Sequence, residues 1–552
     1  MATQTSSKFD RITSKRLIQS GSPAVYQLTP KKMTSGTLRR MTLGEKQIGA
    51  GNKTILLVGE TGTGKSTLIN ALVNFTMGVT WEDDVWFQIV EDQEEKELEG
   101  RNQSESQTSD VIVYQIFGFE GQTLPFSLTI IDTPGYGDTR SVDKDDIVKQ
   151  RLFDLFRADD GIHEIDAVGL VLKATENRVS DRLRYIFDSV VSLFGKDMEK
   201  KIVALITHSD GMPPDNVLTA LADAKITFAK DENNEPVYFQ FNNRQTVQKT
   251  KKTNFPLKNA WGFTMEEIRQ FSDFLGGNSA QNVTKTVEVL NSRIKLTACI
   301  QNLEERIQLT EMKQKEIQQT QEALKKYEHE MESNANFVIE VEEPYKVKEN
   351  ITGGWWGWGW LGWQWQRLFY EGAVCCTTCE ETCHYPGCTI AWSAALCEVM
   401  KDGHCTSCTK NCPVSSHVKE EWIYVNKTRK VQKTLQDVKD KYEANRAKGA
   451  SELSLLETLQ GKMHKHQKEK NALLEESYQH VIKLEGIALK SNSLSTHVHL
   501  DFLIARMKEI GDSAKVFKLE GMKRQVEKDK GIKAAMNYGF NKLAKAARDG
   551  MM

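Results

Sequence analysis

The run Gly59-Glu60-Thr61-Gly62-Thr63-Gly64-Lys65-Ser66 constrains the fold of this chain more than any other segment. It fits the pattern G-x-x-x-x-G-K-[ST] without a gap, and Thr67 follows it. The apolar stretch TILLV (54–58) precedes it and TLINALVNF follows, so the loop joins a strand to a helix, the context this pattern requires. Glycines let successive backbone N–H groups face a phosphate chain, and the N-terminus of the next helix adds partial positive charge. Lys65 suits the β- and γ-phosphate oxygens, and the Ser66 hydroxyl suits Mg2+.

Further strand-like runs alternate with helical stretches up to residue 245: VIVYQIF (111–117), SLTIID (127–132), AVGLVL (167–172), KIVALIT (201–207) and VYFQF (237–241). This alternation predicts an α/β fold of the P-loop NTPase type, with a mostly parallel sheet covered on both faces, over residues 51–275. The acidic segment 82–99 reads as a surface loop.

The strand SLTIID leads into Asp132-Thr133-Pro134-Gly135. A carboxylate at such a strand end holds Mg2+ beside a phosphate loop, and Gly135 lets its N–H approach a γ-phosphate. A threonine that completes the Mg2+ shell is expected shortly before strand 111–117. Thr108 fits, Ser106 competes, and an ordinary solvated hydroxyl is the plainer alternative. After KIVALIT come His208, Ser209 and Asp210. A carboxylate there can accept from the N1–H and 2-amino group of guanine, a donor pair that adenine lacks, so Asp210 points to GTP over ATP. Capping the turn SDGMPPD is its competing role. Asn242 and Asn243 follow strand 237–241, in place for a base-contacting loop. In Ras-like proteins a glutamine after D-x-x-G orients the attacking water; here Tyr136 stands there, so slow intrinsic hydrolysis is expected. Arg140 and Arg178 are candidates by position for the missing positive charge.

Taken together, GETGTGKST, TIIDTPGYGDT, the THSD strand end and FNNR resemble the septin-like GTPases, most closely the immunity-associated AIG-type branch. The resemblance covers residues 50–275, about 40% of the chain. It implies binding of GTP and GDP with Mg2+, and often dimerisation of the G domain. Carried over by position, it assigns residues 59–67, Lys65 and Ser66 foremost, to phosphate and Mg2+. Asp132 and Gly135 fall on the Mg2+ and γ-phosphate side and Asp210 and Asn242 on the guanine side, while Thr108, Thr207, His208 and Asn243 join them by their places in the sequence alone. Thr207-His208 departs from the Asn-Lys pair of small GTPases, which leaves the strength of base binding open.

Outside this region the period changes. Leu296, Leu303, Thr310, Ile317, Leu324 and Met331 recur every seven residues, predicting a helical coiled-coil arm over 286–342. A returning helical arm is expected over 427–485, on Val431, Leu435, Val438, Leu453, Leu456 and Met463. FVIEV (337–341) and WIYV (422–425) read as strands. The two arms would pair antiparallel as a stalk with a Trp- and Cys-rich tip (343–426) at its far end; a compact bundle gives a similar pattern.

Nine of the ten cysteines lie between Cys375 and Cys412. Cys376-x2-Cys379-x3-Cys383-x4-Cys388 is repeated as Cys405-x2-Cys408-x3-Cys412-x4-His417, which offers ligands for two closed structural Zn2+ sites. Cys375, Cys397, His384 and His404 are to spare, so pairing between the blocks stays open, as do disulfides or redox thiols. Six tryptophans (Trp355, Trp356, Trp358, Trp360, Trp363, Trp365) suit either a partner surface or packing over the tip.

With 73 Lys+Arg against 75 Asp+Glu, a globally basic nucleic-acid surface is not expected. No apolar run reaches the ~18 residues of a membrane span, and MATQTSSKFD lacks the apolar core of a secretory signal, so a cytoplasmic protein is expected. Residues 1–50 read as a disordered basic arm. Residues 486–552 read as a basic helical end suited either to anionic membrane or to packing on the stalk. A scaffold acting through stalk and tip, and an ATPase, are the rival functions.

Overall fold

The computed structural model describes residues 15–91, 111–133, 143–176, 181–351, 356–385, 393–440, 455–488 and 494–528, apart from isolated positions within these spans, together with Phe9. Thr108, Ser106, Gly135, Tyr136, Arg140, Arg178, Cys388 and residues 529–552 lie outside them. The chain forms two units: Met1–Leu290 with Glu485–His497 and Met522–Met552, and Asn291–Leu484 with Val498–Gly521.

The first unit runs β1 (Lys15–Gln19), β2 (Ala24–Leu28), β3 (Lys31–Ser35), β4 (Leu38–Leu43), β5 (Asn52–Gly59), α1 (Lys65–Thr76), β6 (Val85–Gln88), β7 (Ile112–Ile116), β8 (Ser127–Asp132), α2 (Asp143–Arg157), β9 (Glu164–Ile165), β10 (Ala167–Lys173), α3 (Asp181–Val191), β11 (Ile202–Thr207), α4 (Asp215–Asp223), β12 (Tyr238–Gln240), α5 (Asn254–Gly277) and β13 (Gln281–Asn282). Its main sheet has eight strands in the order β12-β11-β10-β5-β8-β7-β4-β3. The neighbours from β12 to β8 are parallel, and β7 is antiparallel to β8. Every residue of β8 and β11 is buried, as expected of strands covered on both faces.

Two expectations are corrected here. Residues 15–43 are not a disordered arm: β3 and β4 extend the main sheet, while β1, β2 and β6 form a second one. The basic composition conceals period-2 alternation, in which Met41 and Leu43 are buried, as are Val25 and Gln27 of β2. Nor is 82–99 wholly a surface loop, because Trp86, Phe87 and Ile89 are core residues. Asn70 and Asn74 of α1 hold that segment. The Asn74 side chain donates to the Phe87 carbonyl (2.6 Å) and accepts from the Phe87 N–H (2.9 Å), and Asn70 Oδ1 accepts from the Ile89 N–H (2.9 Å).

The second part of the chain contains α6 (Thr284–Ser333), β14 (Ile339–Asn350), β15 (Trp356–Leu361), β16 (Gln364–Tyr370), β17 (Ala373–Cys376), β18 (Glu381–His384), β19 (Met400–Lys401), β20 (His404–Cys405), β21 (His417–Glu420), β22 (Trp422–Lys433), α7 (Leu455–Ile487), α8 (Leu494–Glu509) and α9 (Ser513–Lys528). The heptad run is helical as expected. Residues 427–433, expected in a returning helix, instead belong to β22, which pairs with β14 from Ile339↔Lys433 to Asn350↔Trp422. Cross-strand ion pairs, Arg429–Glu343 (3.0 Å) and Lys430–Glu340 (2.9 Å), offset the weak apolar alternation of NKTRKVQK.

This ribbon lies against α6 in the antiparallel sense. The Glu342 N–H donates to Gln319 Oε1, whereas Asn426 Nδ2 donates to the Glu305 carbonyl (both 2.9 Å) and Asn302 Nδ2 to the Thr382 carbonyl (3.2 Å). Ile317 packs with Ile339, Val341 and Val438. The cysteine module therefore sits beside Ala298 and Asn302, not at the far end of a stalk. A strand that doubles back along its helix returns the chain to where the helix began.

Candidate functional site

Register places the phosphate loop, Asp132, Thr207 and the Asn242 loop at one end of the main sheet. Leu57 pairs with Asp132, Gly59 with Val171, Lys173 with Thr207, and Ile206 with Gln240. The loops after β5, β8, β11 and β12 thus leave side by side from the carboxyl ends of neighbouring strands, where open α/β sheets bind ligands.

The phosphate loop turns tightly out of β5. A Cβ on Gly59 would lie 2.5 Å from the Val171 carbonyl oxygen, so only glycine fits between β5 and β10. Gly64, at φ +87°, caps α1 in the left-handed region that glycine alone adopts freely. Thr61 and Gly62 are exposed at the tip of the loop, Glu60 is half-buried, and Thr63 is buried. The Thr63 hydroxyl donates to the Glu60 carbonyl at 2.8 Å, which closes the loop on itself. Ser66 and Thr67 stand half-buried in the first turn of α1.

Lys65 is buried, and its Nζ donates to the Gly59 carbonyl at 2.9 Å. Burial lowers the pKa of this ammonium, while the negative charges of Asp132 and Glu60 raise it in part. Asp132 is fully buried at the end of β8. Thr133 follows it and donates its hydroxyl to the Leu57 carbonyl (2.9 Å), tying β8 to β5. A buried carboxylate at a strand end, a hydroxyl on the first helical turn and a buried ammonium thus stand beside one loop, a donor set that fits a nucleotide with Mg2+.

On the base side, Thr207 is buried and its hydroxyl bonds to the Thr63 carbonyl (2.6 Å) and the Leu172 carbonyl (3.2 Å), so it braces the phosphate loop. His208 is exposed and adopts a left-handed conformation, φ 55°. Its imidazole pKa is lowered, first by burial and then by the positive charges of Lys173 and Arg244. Asp210 is exposed, and its Oδ1 accepts from the Met212 N–H at 3.0 Å, the turn-capping role weighed from the sequence. Asn242 and Asn243 are half-buried; the Asn242 N–H donates to Thr264 Oγ1 of α5 (2.9 Å).

Sequence reading missed the supports: Lys173, Arg244, Asn70, Asn74, Thr264 and Glu267, whose carboxylate accepts from the Gln240 N–H at 2.8 Å. Only the two asparagines gave a signal, as amides spaced four apart on an otherwise apolar helix.

In the second unit eight of the clustered cysteines are described, none in a disulfide. They do not pair block by block as the spacing suggested. Cys376 and Cys379 meet Cys408 and Cys412, while Cys383 meets Cys405, Cys408 and His417. The sheet order β18-β17-β21 sets Cys383, Cys376 and His417 on neighbouring strands, so the last ligand of the second block lies beside the first block. A third group combines His384, Cys397 and Glu398.

Three comparisons with known proteins bear on the first unit. Curated proteins give no match. Among solved structures, the chain is similar to Toc33 of Arabidopsis thaliana in complex with Mg2+ and GMPPNP, at 20% identity and TM-score 0.29, over 42% of this chain and 89% of that one. It is similar to the same protein with GDP and Mg2+ at 19% identity and TM-score 0.28, over 42% and 88%. It is also similar to translation elongation factor SelB of Methanococcus maripaludis, apo form, at 13% identity and TM-score 0.22, over 42% and 35%. The model of the AIG1 family matches residues 53–256. That span holds the phosphate loop, Asp132, Asp210 and the Asn242 loop, and it is an AIG1-family domain with the P-loop G-domain fold.

Proposed function

We propose that this chain is a guanine-nucleotide-dependent switch with slow GTP hydrolysis. One observation carries the reading: the phosphate loop, Asp132, Asp210 and Asn242 all leave the same carboxyl edge of the sheet, in the order that a bound nucleotide would span from phosphates to base. Ser66 and Asp132 would hold Mg2+, which when bound neutralises charge on the phosphates. Lys65 would exchange its bond to the Gly59 carbonyl for phosphate oxygens. Asp210 and Asn242 would select the base. Thr108 and Gly135 would respond to the γ-phosphate, and Tyr136, in the water-orienting position, would make turnover slow. Nucleotide-dependent self-association and a cytoplasmic location belong to the same proposal.

In the second unit we infer structural zinc on the cysteine module, supported by buried thiols that converge without disulfides. The module would present the β15–β16 hairpin to a protein partner.

Fluorescent GTP and ATP titrations with and without Mg2+, on the unsubstituted chain, Lys65→Ala and Asp210→Ala, test the nucleotide reading. Binding of GTP that Lys65→Ala abolishes, and a guanine preference that Asp210→Ala removes, are expected. Equal uptake of ATP would leave an ATPase, and no uptake at all would leave a scaffold.

A further inference from the structure

The two cysteine blocks offer seven described ligands, not eight: Cys376, Cys379, Cys383, Cys405, Cys408, Cys412 and His417. Two closed tetrahedral zinc sites need eight metal–ligand bonds. Cys408 belongs to both groups, and within each group every ligand atom lies within 4.8 Å of the others. We propose that these residues form a single two-zinc centre in which the Cys408 thiolate bridges both ions. Cys376, Cys379 and Cys412 complete one ion, and Cys383, Cys405 and His417 the other. The proposal rests on the zinc reading above and goes beyond it, since among the described residues separate sites would leave one ion a ligand short.

Four geometric features agree. Cys379 Sγ and Cys412 Sγ stand 3.7 Å apart, close to the edge of about 3.8 Å that a tetrahedron with Zn–S bonds of about 2.3 Å requires. Backbone N–H groups are directed at the sulfurs and would stabilise thiolates: Cys379 N–H to Cys376 Sγ (3.3 Å), Cys408 N–H to Cys405 Sγ (3.4 Å) and Cys412 N–H to Cys408 Sγ (3.2 Å). His417 is buried, and its Nδ1 lies 3.0 Å from the Pro413 carbonyl, the contact that fixes the tautomer leaving Nε2 for a metal. That Nε2 is buried without a hydrogen-bond partner, as a ligand nitrogen would be. Ala298, Val374, Val399 and Ala394 pack among the thiols.

Zinc-edge X-ray absorption on the zinc-loaded full chain tests the bridge directly. A Zn···Zn vector at about 3.5–4 Å is expected, and bound zinc without that vector would overturn the bridge. Metal analysis gives a second reading, taken as differences from the unsubstituted chain so that an ion on His384, Cys397 and Glu398 does not enter. Cys408→Ser should lose two zinc ions, and Cys379→Ser one. Cys388→Ala should lose none. Equal losses from Cys408→Ser and Cys379→Ser, or loss of an ion from Cys388→Ala, would refute the shared thiolate while leaving structural zinc in place. A purified chain that binds no zinc would remove the underlying reading itself.

Discussion

The Thr207 hydroxyl is bonded to the Thr63 carbonyl at 2.6 Å, so the strand that leads to the base-side loop also holds the loop meant for phosphates. The same hydroxyl reaches the Leu172 carbonyl of β10, linking three neighbouring segments at one buried atom. Geometry on either side of the nucleotide is thereby coupled through a side chain that the sequence placed on the base side.

Thr207→Val keeps the shape and removes that donor. Leaving a buried carbonyl unpaired costs about 1–3 kcal/mol. Thermal unfolding of the nucleotide-free chain should show this loss, and GTP affinity should fall with it, while Thr207→Ser restores both. Unchanged affinity in Thr207→Val would show that the brace does not shape the phosphate loop.

Asn74 is buried, and its amide satisfies both backbone groups of Phe87. Asn74→Ala leaves these unpaired, and a loss of about 2–4 kcal/mol in denaturant unfolding is expected. Because Phe87 belongs to the strand that leads toward Thr108, the variant should also weaken discrimination between GTP and GDP, read from paired nucleotide titrations.

In the second unit Lys433 Nζ lies 2.9 Å from both Glu316 Oε1 and Glu343 Oε1, and Lys433 and Glu316 are buried. Lys433→Ala removes the cation that Glu316 and Glu343 share and should destabilise the unit by about 3–5 kcal/mol, the usual cost of breaking a buried ion pair. Changing Glu316 to Gln in the same chain should recover part of the loss, measurable as a non-additive double-mutant cycle.

The Glu305 carboxyl on α6 is pushed up to about 7, from 4.5, chiefly by burial and further by Glu381 and Glu304, against the lowering influence of Lys346. Its folded-state pKa exceeds the unfolded one, so the folded state binds the extra proton between these values. The associated stability is complete below about pH 4.5 and is lost as pH rises through about 7. In zinc-saturated buffer, the melting temperature of the unsubstituted chain should fall relative to Glu305→Gln as pH rises from 5.5 to about 7, and level off above it. Parallel profiles would exclude Glu305 as the titrating group.

Local signals along the chain were enough to read the α/β domain of the first unit. Gly59, Gly64 and Lys65 obey local rules of loop and helix start, and the apolar strands around them read as a covered parallel sheet, so loop, fold and the position of Asp132 were legible without contacts. The heptad period likewise marked α6 as a helix. Tertiary structure decided what local signals leave undetermined. Thr207 became a brace because a register three strands wide brought it to Thr63, and residues 15–43 became strands because the edge of a sheet and a second small sheet were there to accept them. Residues 427–433 became strand because β14 offered a partner for every residue, including the charged ones. The cysteine spacing named the ligands, but sharing of Cys408 between two groups follows only from where the tertiary fold brings the two blocks together, a non-local fact that no spacing along the chain encodes.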